Sequence, residues 1–542
     1  MKESYVSDKR YSRFSELDEL RVEYSTGRIG EEETGGIPIY VNLETNEMVC
    51  MDKDKHTLVV ASSGNCKSLS VMMPMLIPLV AAGESYVVND PKGEIFDKMS
   101  KYMEQNGYNV YVINLRSPGR SNSFNPFRTV TELYVSGQIG AAQRLMMQYA
   151  EILTSPVKST KDAYWQTSAS DYLCGLGLVL CKEAPDTLSL ANIHKLHVDG
   201  EQKVGLERGM ETYVNSIKEE SPHIYKMLEG TVFAPSETRK SIISCFSGCM
   251  MKATFDEGVA EILSHNDFTV DDMVKKKSAV FIISPDESLV YQSVISIIVN
   301  SMYTRLTDLA YKSGGTLKRR FHFVLDEFGN MAAIPDCGAM LTAARSRNIR
   351  FTLAIQDYSQ LKRIYSDESE SIISNCDVLV YLHSPSYKLR KEISQQCGEV
   401  LLPYQNTTAP LLSPEHLAHL EKGEALLLIG KSYPYLSKLP LINEYEKAGY
   451  IELGAAKEKK KKARKEVPCF SLEKKLVELF EEKVKRALEA NPSLRKELDN
   501  TENVESGATL TLADMDIYLY EEDECGVACE AELLFEAFNE AE

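Results

Sequence analysis

Eight short apolar runs, each ending in a polar or small residue, constrain the fold of this chain more than any other feature of its sequence. They are TLVVA at 57–61, SYVVN at 85–89, NVYVIN at 109–114, SAVFIIS at 278–284, FHFVL at 321–325, FTLAIQ at 351–356, DVLVYL at 377–382 and EALLLI at 424–429. Runs this short and this rich in Val, Ile and Leu read as strands buried on both faces. Helical patterns separate most of them. The expected fold is therefore α/β, a mostly parallel sheet with helices on both faces.

Between 126 and 270 the apolar runs stop, and stretches such as Asp162–Ala184, Gly205–Glu219 and Ser236–Ala253 read as helices. An all-α insertion is expected there, carried on the α/β core. The expected division is an N-terminal extension at 1–34, core at 35–125, the insertion at 126–270, core again at 271–450, then 451–500 and 501–542. The fifth segment holds a basic run, KEKKKKARKE at 457–466, and an amphipathic helix with Leu472, Leu476, Leu479, Phe480, Val484 and Leu488 on one face. The sixth carries thirteen Asp or Glu and no Lys or Arg, and is expected to be partly disordered.

A formal net charge of −18 argues against a protein that coats nucleic acid with its whole surface, but leaves room for a local basic channel. Lys275–Lys277 and Lys318–Arg320 are local basic clusters that read first as solvated ends of elements. The twelve cysteines form no CxxC pair, which suits reduced thiols in a cytosolic chain. His194/His197 and His416/His419 are HxxH pairs that lack the HExxH arrangement of a helical zinc site. No signal peptide opens the sequence, and the apolar run Val71–Gly83 contains two prolines and is too short to span a bilayer. A soluble chain is expected.

VVASSGNCKSLSVMMPML, residues 59–76, runs from an apolar strand through small residues to Lys67-Ser68 and a helix. That is the outline of a phosphate-binding loop, G-x-x-x-x-G-K-[ST], in which backbone N–H groups surround phosphate. Ser63, Gly64, Asn65, Cys66, Lys67 and Ser68 are the candidate nucleotide-binding residues. Ala61 and Cys66 stand at the two glycine positions. Ala61 adds one methyl at a turn; Cys66 puts a side chain where backbone lies close to phosphate. Alone, this loop is a weak match.

The other strand ends strengthen it. FHFVLDEF at 321–328 is an apolar strand ending in Asp326-Glu327, where nucleotide-hydrolysing enzymes of this class place a Mg²⁺ ligand and a residue that activates water. Asp90, Ser284 and Gln356 end or follow neighbouring runs. In open α/β sheets, ligands bind beyond the carboxyl ends of the strands.

Longer stretches carry a family resemblance. NDPKGEIFDKM at 89–99, SFNPF at 123–127, DAYWQTSASDYL at 162–173, LDEFGNMAAIPDCGAMLTAARSRNIRFTLAIQDYSQLKRIY at 325–365, ISNCDVLVYL at 373–382 and SPEHLAHLEKGEALLLIGK at 413–431 resemble the TraG/TraD-type coupling proteins of conjugation and type IV secretion, relatives of the FtsK-like motor ATPases. The resemblance covers roughly residues 35–445. It implies a RecA-like P-loop ATPase core with ATP and Mg²⁺ as ligands. Lys67 and Ser68 would hold phosphate and Mg²⁺, Asp326 would hold Mg²⁺, Glu327 would be the catalytic carboxylate and Gln356 would sense the γ-phosphate. Arg345 is the candidate arginine finger toward a neighbouring subunit, with Arg347 its rival; Asp90 and Lys92 are possible additions.

The same resemblance implies a DNA-translocating motor, a homo-hexamer when active, that delivers single-stranded DNA bound to a relaxase to a type IV secretion channel. Its partners would be that DNA, the relaxase and accessory proteins, and the channel components. Family members commonly begin with transmembrane helices, so this chain would work in the cytoplasm at the inner face of the membrane, attached only through a partner. A recruitment adaptor with little ATP turnover is the alternative, and a double-stranded DNA pump a third reading. By its charge, the acidic tail would recruit basic cargo, with the amphipathic helix as its docking element, or else be a solubilising, partly disordered end.

Overall fold

The computed structural model describes residues 11–154, 163–204, 207–285, 290–402, 407–456 and 465–490. Two compact units divide the chain, one from residues 1–126 and 261–465, the other from 127–260 and 466–542. The acidic tail and the basic run 457–464 lie outside the described residues.

The first unit is built on the expected strands: β1 Thr57–Ala61, β2 Ser85–Asn89, β3 Asn109–Asn114, β4 Ser278–Ile283, β5 Phe321–Leu325, β6 Ile349–Ile355, β7 Val378–His383 and β8 Glu424–Ile429. A short ninth strand, β9 Tyr435–Lys438, was not expected. The sheet order is β9-β8-β7-β1-β6-β5-β2-β4-β3. From β7 across to β3 every pairing is parallel. β8 and β9 are added antiparallel at one edge. All residues of β1, β2, β4, β5 and β6 are buried, which is why their sequences show no polar alternation.

Register places the strand ends together. Leu325 pairs with Asn89 on one side and Leu353 on the other, and Ile355 pairs with Val60. The residues that follow β1, β2, β5 and β6 therefore share the carboxyl edge of the sheet.

The apolar run after the loop is a buried helical layer. Val71, Met72, Met73, Leu76, Ile77 and Leu79 are at most 1% exposed. Pro74 has no N–H to donate, and the first turn is wide: Met73 N–H reaches back five residues to Ser68 O at 2.9 Å. A regular helix, Leu76–Ala81, follows. No helix among the described residues is long and apolar enough to cross a membrane.

Two further features depart from expectation in this unit. A three-stranded antiparallel sheet, Ser25–Gly27, Ile37–Asn42 and Glu47–Met51, forms across the expected boundary at 34. Its buried Ile37, Ile39, Met48 and Val49 join the core beneath the main sheet. The core also resumes at 261 rather than 271. Asn266 and Asp267 accept hydrogen bonds from the backbone of Asn125 and Ser123, and Phe268 stacks on Tyr111 at 4.3 Å.

The second unit contains helices Ile139–Thr154, Ala163–Glu183, Leu190–Glu201, Pro222–Val232 and Ser236–Thr254, with one tiny ribbon pairing 203–204 and 207–208. That ribbon is the exception to an all-helical reading. Helix Leu472–Ala490 belongs to this unit. Leu472 and Leu476 are buried, Leu476 lies beside Gly209, and Lys475 pairs with Glu183 at 3.1 Å. The first two turns of its apolar face are thus covered within the unit.

Candidate functional site

Strand β1 ends at Ala61, and the loop 62–66 turns the chain back into the helix that opens at Ser68. Ser63 and Gly64 form its exposed tip. Gly64 has φ +84° and Cys66 φ +56°, both in the left-handed region. Glycine adopts that region freely, whereas a residue with a Cβ is strained there by about 1 kcal/mol. Cys66 is therefore costly for its backbone conformation; the sequence had suggested side-chain bulk near phosphate.

Lys67 is 8% exposed and its ammonium is shared by two carboxylates. Nζ lies 2.7 Å from Asp326 Oδ1 and 3.0 Å from Glu327 Oε1. Ser68 Oγ donates to Asp326 Oδ2 at 2.9 Å. Gln356 Nε2 donates to Glu327 Oε2 at 3.1 Å, and Asn330 Nδ2 to the same oxygen at 3.2 Å. Burial opposes the Lys67 charge, but Asp326 and then Glu327 outweigh it, so its pKa is raised and it stays an ammonium at neutral pH. Five residues drawn from three strand ends, Lys67, Ser68, Asp326, Glu327 and Gln356, form one hydrogen-bonded cluster.

Backbone geometry helps to aim the acids. Glu327 has φ +56°, and Asn89 Nδ2 donates to Asp326 O at 2.7 Å. Gln356 N–H donates to Gln360 Oε1 at 2.8 Å, and Gln360 in turn donates to Asn330 Oδ1 at 3.3 Å. Asn89, Asn330 and Gln360 were missed as site residues, although all three sit inside the family-like stretches 89–99 and 325–365.

Asp90 is 2% exposed at the end of β2 and accepts from Phe96 N–H at 2.8 Å. Burial pushes its carboxyl up to about 7, eased by that hydrogen bond and reinforced by the Asp326 charge. Lys92 is exposed. Ser284 Oγ and Asn89 Oδ1 are buried without a protein partner.

Arg345 and Arg347 stand elsewhere. They precede β6, on the amino edge of the sheet, one strand length or about 20 Å from Gln356. Arg345 Nη1 pairs with Asp377 Oδ2 at 3.1 Å, while Arg347 Nη1 donates to Ala343 O at 2.6 Å. The basic clusters prove structural in part: Arg320 donates to the carbonyls of Gly35 and Asp52, and Lys277 lies over the Tyr108 ring at 5.3 Å.

Comparison with known proteins places this geometry in context. The family model for type IV secretory system conjugative DNA transfer matches residues 11–403. Protein VirD4 of Agrobacterium fabrum is 24% identical over 418 residues, covering 72% of this chain and 58% of that protein. Protein VirD4 of Rhizobium rhizogenes is 23% identical over 405 residues, covering 69% and 57%. The chain thus spans less than two thirds of the length of these relatives. Among solved structures, plasmid coupling protein TrwB in complex with a non-hydrolysable ATP analogue matches with a TM-score of 0.59 at 15% identity, over 84% of this chain and 98% of that one. TrwB in complex with ADP and Mg²⁺ matches with a TM-score of 0.56 at 16% identity, over 80% and 94%. The shared fold is the RecA-like P-loop core.

Proposed function

The chain belongs to the type IV secretory system conjugative DNA transfer family, and from that premise we propose that it is an ATP-driven coupling protein delivering relaxase-bound single-stranded DNA to a conjugative secretion channel. The observation that carries this reading is the bridge of Lys67 to Asp326 and Glu327, with Ser68 and Gln356 on the same two acids. A lysine shared by two carboxylates at the head of a helix is ready to be claimed by a competing anion. A triphosphate is the anion that the loop and helix N-terminus suit.

Mg²⁺ fits the donors present. Ser68 Oγ and Asp326 Oδ2 are adjacent hard oxygens, the small protein share that Mg²⁺ takes when phosphates complete its shell. Bound there, the ion would neutralise phosphate charge. The solved complexes of TrwB with an ATP analogue and with ADP and Mg²⁺ support the same ligands here.

Lys67 Nζ would turn from Glu327 to phosphate oxygens. Glu327 would keep Gln356 and Asn330 as donors to Oε2, leaving Oε1 free to take the proton of an attacking water. Gln356, fixed through its backbone to Gln360, would register whether the γ-phosphate is present. Hydrolysis is in this way coupled to occupancy: the base is masked by Lys67 until phosphate draws the lysine away.

Arg345 stands about one strand length from its own Lys67, so it could stabilise charge only at a neighbouring subunit's site. That supports a ring, with six copies as the working number. DNA would be held by phosphate contacts without base reading. Relaxase, accessory proteins and channel components would be the protein partners. We place the chain in the cytoplasm at the inner membrane face, attached through a partner.

The deciding experiment replaces Glu327 by Gln in the conjugating cell, keeping shape and removing the carboxylate. A motor predicts DNA transfer reduced by about 10² or more at unchanged protein level. Unimpaired transfer would leave the adaptor reading in its place.

A further inference from the structure

We propose that His383 is a positioning residue for the phosphate-binding loop, clasping Ser62 and Asn65 so that the loop keeps the shape a triphosphate needs. The inference rests on the nucleotide reading above and adds a residue outside the loop motif. Loops of this kind depend on glycine for their backbone path. Here residues 62–66 read Ser-Ser-Gly-Asn-Cys, with Gly64 the single glycine and Cys66 strained at φ +56°. Such a path needs an outside restraint.

The end of β7 supplies one. β7 pairs with β1 in regular register through Tyr381 and Val60, then slips so that His383 stands opposite Ala61. A register slip of this kind re-aims the side chain beside it. The His383 ring is brought to the loop: Nδ1 lies 3.0 Å from Ser62 Oγ and 3.3 Å from Asn65 Nδ2. Its backbone joins in, His383 O accepting from Ser62 N–H at 3.0 Å.

The hydrogen-bond roles close on one assignment. An amide nitrogen only donates, so Nδ1 is an acceptor and the ring proton sits on Nε2. Asn65 Nδ2 donates to Ser62 Oγ at 2.7 Å, and that hydroxyl is left to donate to Nδ1. The strand end behind the ring is itself fixed. Ser384 N–H donates to Tyr381 Oη at 2.9 Å, Tyr381 donates to Leu417 O at 3.1 Å, and Arg390 donates to Ser384 O at 2.9 Å. Among the described residues, no hydrogen bond of His383 reaches Lys67, Asp326 or Glu327. Its effect is through the loop.

The test measures the Kd of the full chain for a fluorescent ATP analogue with Mg²⁺, together with steady-state hydrolysis and thermal melting. His383→Ala is expected to raise Kd about 5- to 10-fold, the scale of one or two lost hydrogen bonds, with KM rising more than kcat falls. His383→Asn, whose Oδ1 can accept where Nδ1 does, should recover most of that loss. Ser62→Ala added to His383→Ala should cost little more, because the two side chains act as one unit. Unchanged Kd in His383→Ala overturns the proposal, as does equal loss in the Asn and Ala variants. If His383→Ala does not fold, Ser62→Ala alone must weaken binding about 3-fold or more, and wild-type affinity there overturns it. A wild-type chain that fails to bind the analogue would instead remove the nucleotide reading itself.

Discussion

Both edges of the sheet bury charge, but they arrange it differently. On the amino edge the pairs end on the backbone. Glu84 accepts from His322 at 2.5 Å and from Gly35 N–H at 3.1 Å, and Arg350 pairs with Asp54 while donating to the carbonyls of Arg345 at 3.1 Å and Ile349 at 2.9 Å. These contacts tie loops to strands and have no exchangeable member. On the carboxyl edge Lys67, Asp326, Glu327 and Gln356 end chiefly on one another. A competing anion can take Lys67 without unravelling a loop. Buried charge that closes on backbone is architecture; buried charge that closes on side chains can be rearranged by a ligand.

Arg345 is the test of that division. Its pair with Asp377 lies on the architectural edge, yet the two side chains are 36% and 38% exposed, and such a pair contributes little stability. We expect Arg345→Ala to lower hydrolysis by about 10³ in the assembled state while leaving nucleotide affinity near wild type. Arg347→Ala, which among the described residues loses a hydrogen bond to the Ala343 carbonyl, should stay within a few-fold. Equal effects of the two substitutions, measured as kcat on DNA-assembled protein, would place Arg345 with the structural charges.

Asp90 sharpens the comparison through pH. Its folded pKa, about 7, lies above the ordinary value of 3.8, so the folded state holds the proton more tightly. The sign follows: between about pH 4 and 7 stability falls as pH rises, because the folded chain must give up a proton the unfolded chain has already lost. Asp90→Asn retains an acceptor for Phe96 N–H and has no proton to lose. The variant should gain on wild type as pH rises from 5 to 8, by on the order of 1–4 kcal/mol in urea unfolding. A difference independent of pH would mean that Asp90 is not held neutral by burial.

The smallest effect is at Cys66. Cys66→Gly removes the strain of a left-handed non-glycine residue, about 1 kcal/mol, offset by added freedom in the unfolded chain. Hydrolysis should be preserved or raised. A folded Cys66→Gly protein with lower turnover would show that the cysteine contributes more than a tolerated defect.

The carboxyl edge was legible because burial on both faces leaves an uninterrupted apolar run, and the run stops where polar residues meet the ligand side. Asp326, Glu327 and Gln356 could be read as residues at or just past such a stop, and Lys67 and Ser68 from the loop outline that follows one. The small sheet from 25 to 51 was not legible: IPIYVN carries a proline, and its partners are short. The strain at Cys66 is a backbone angle that no pattern reveals. His383 was out of reach for a different reason. Its partner Ser62 is 321 residues away, and only the parallel pairing of β7 with β1 brings them together.

The central claim is that the Lys67 cluster is a working hydrolytic site driven by cargo DNA. Its most direct test is steady-state hydrolysis of Mg²⁺-ATP by the full chain, with and without single-stranded DNA, beside Glu327→Gln. The account predicts turnover that rises with DNA, and a Glu327→Gln variant that binds nucleotide but hydrolyses it about 10² times more slowly or less. A folded wild-type chain with no turnover in either condition, or a Glu327→Gln variant as active as wild type, would contradict it.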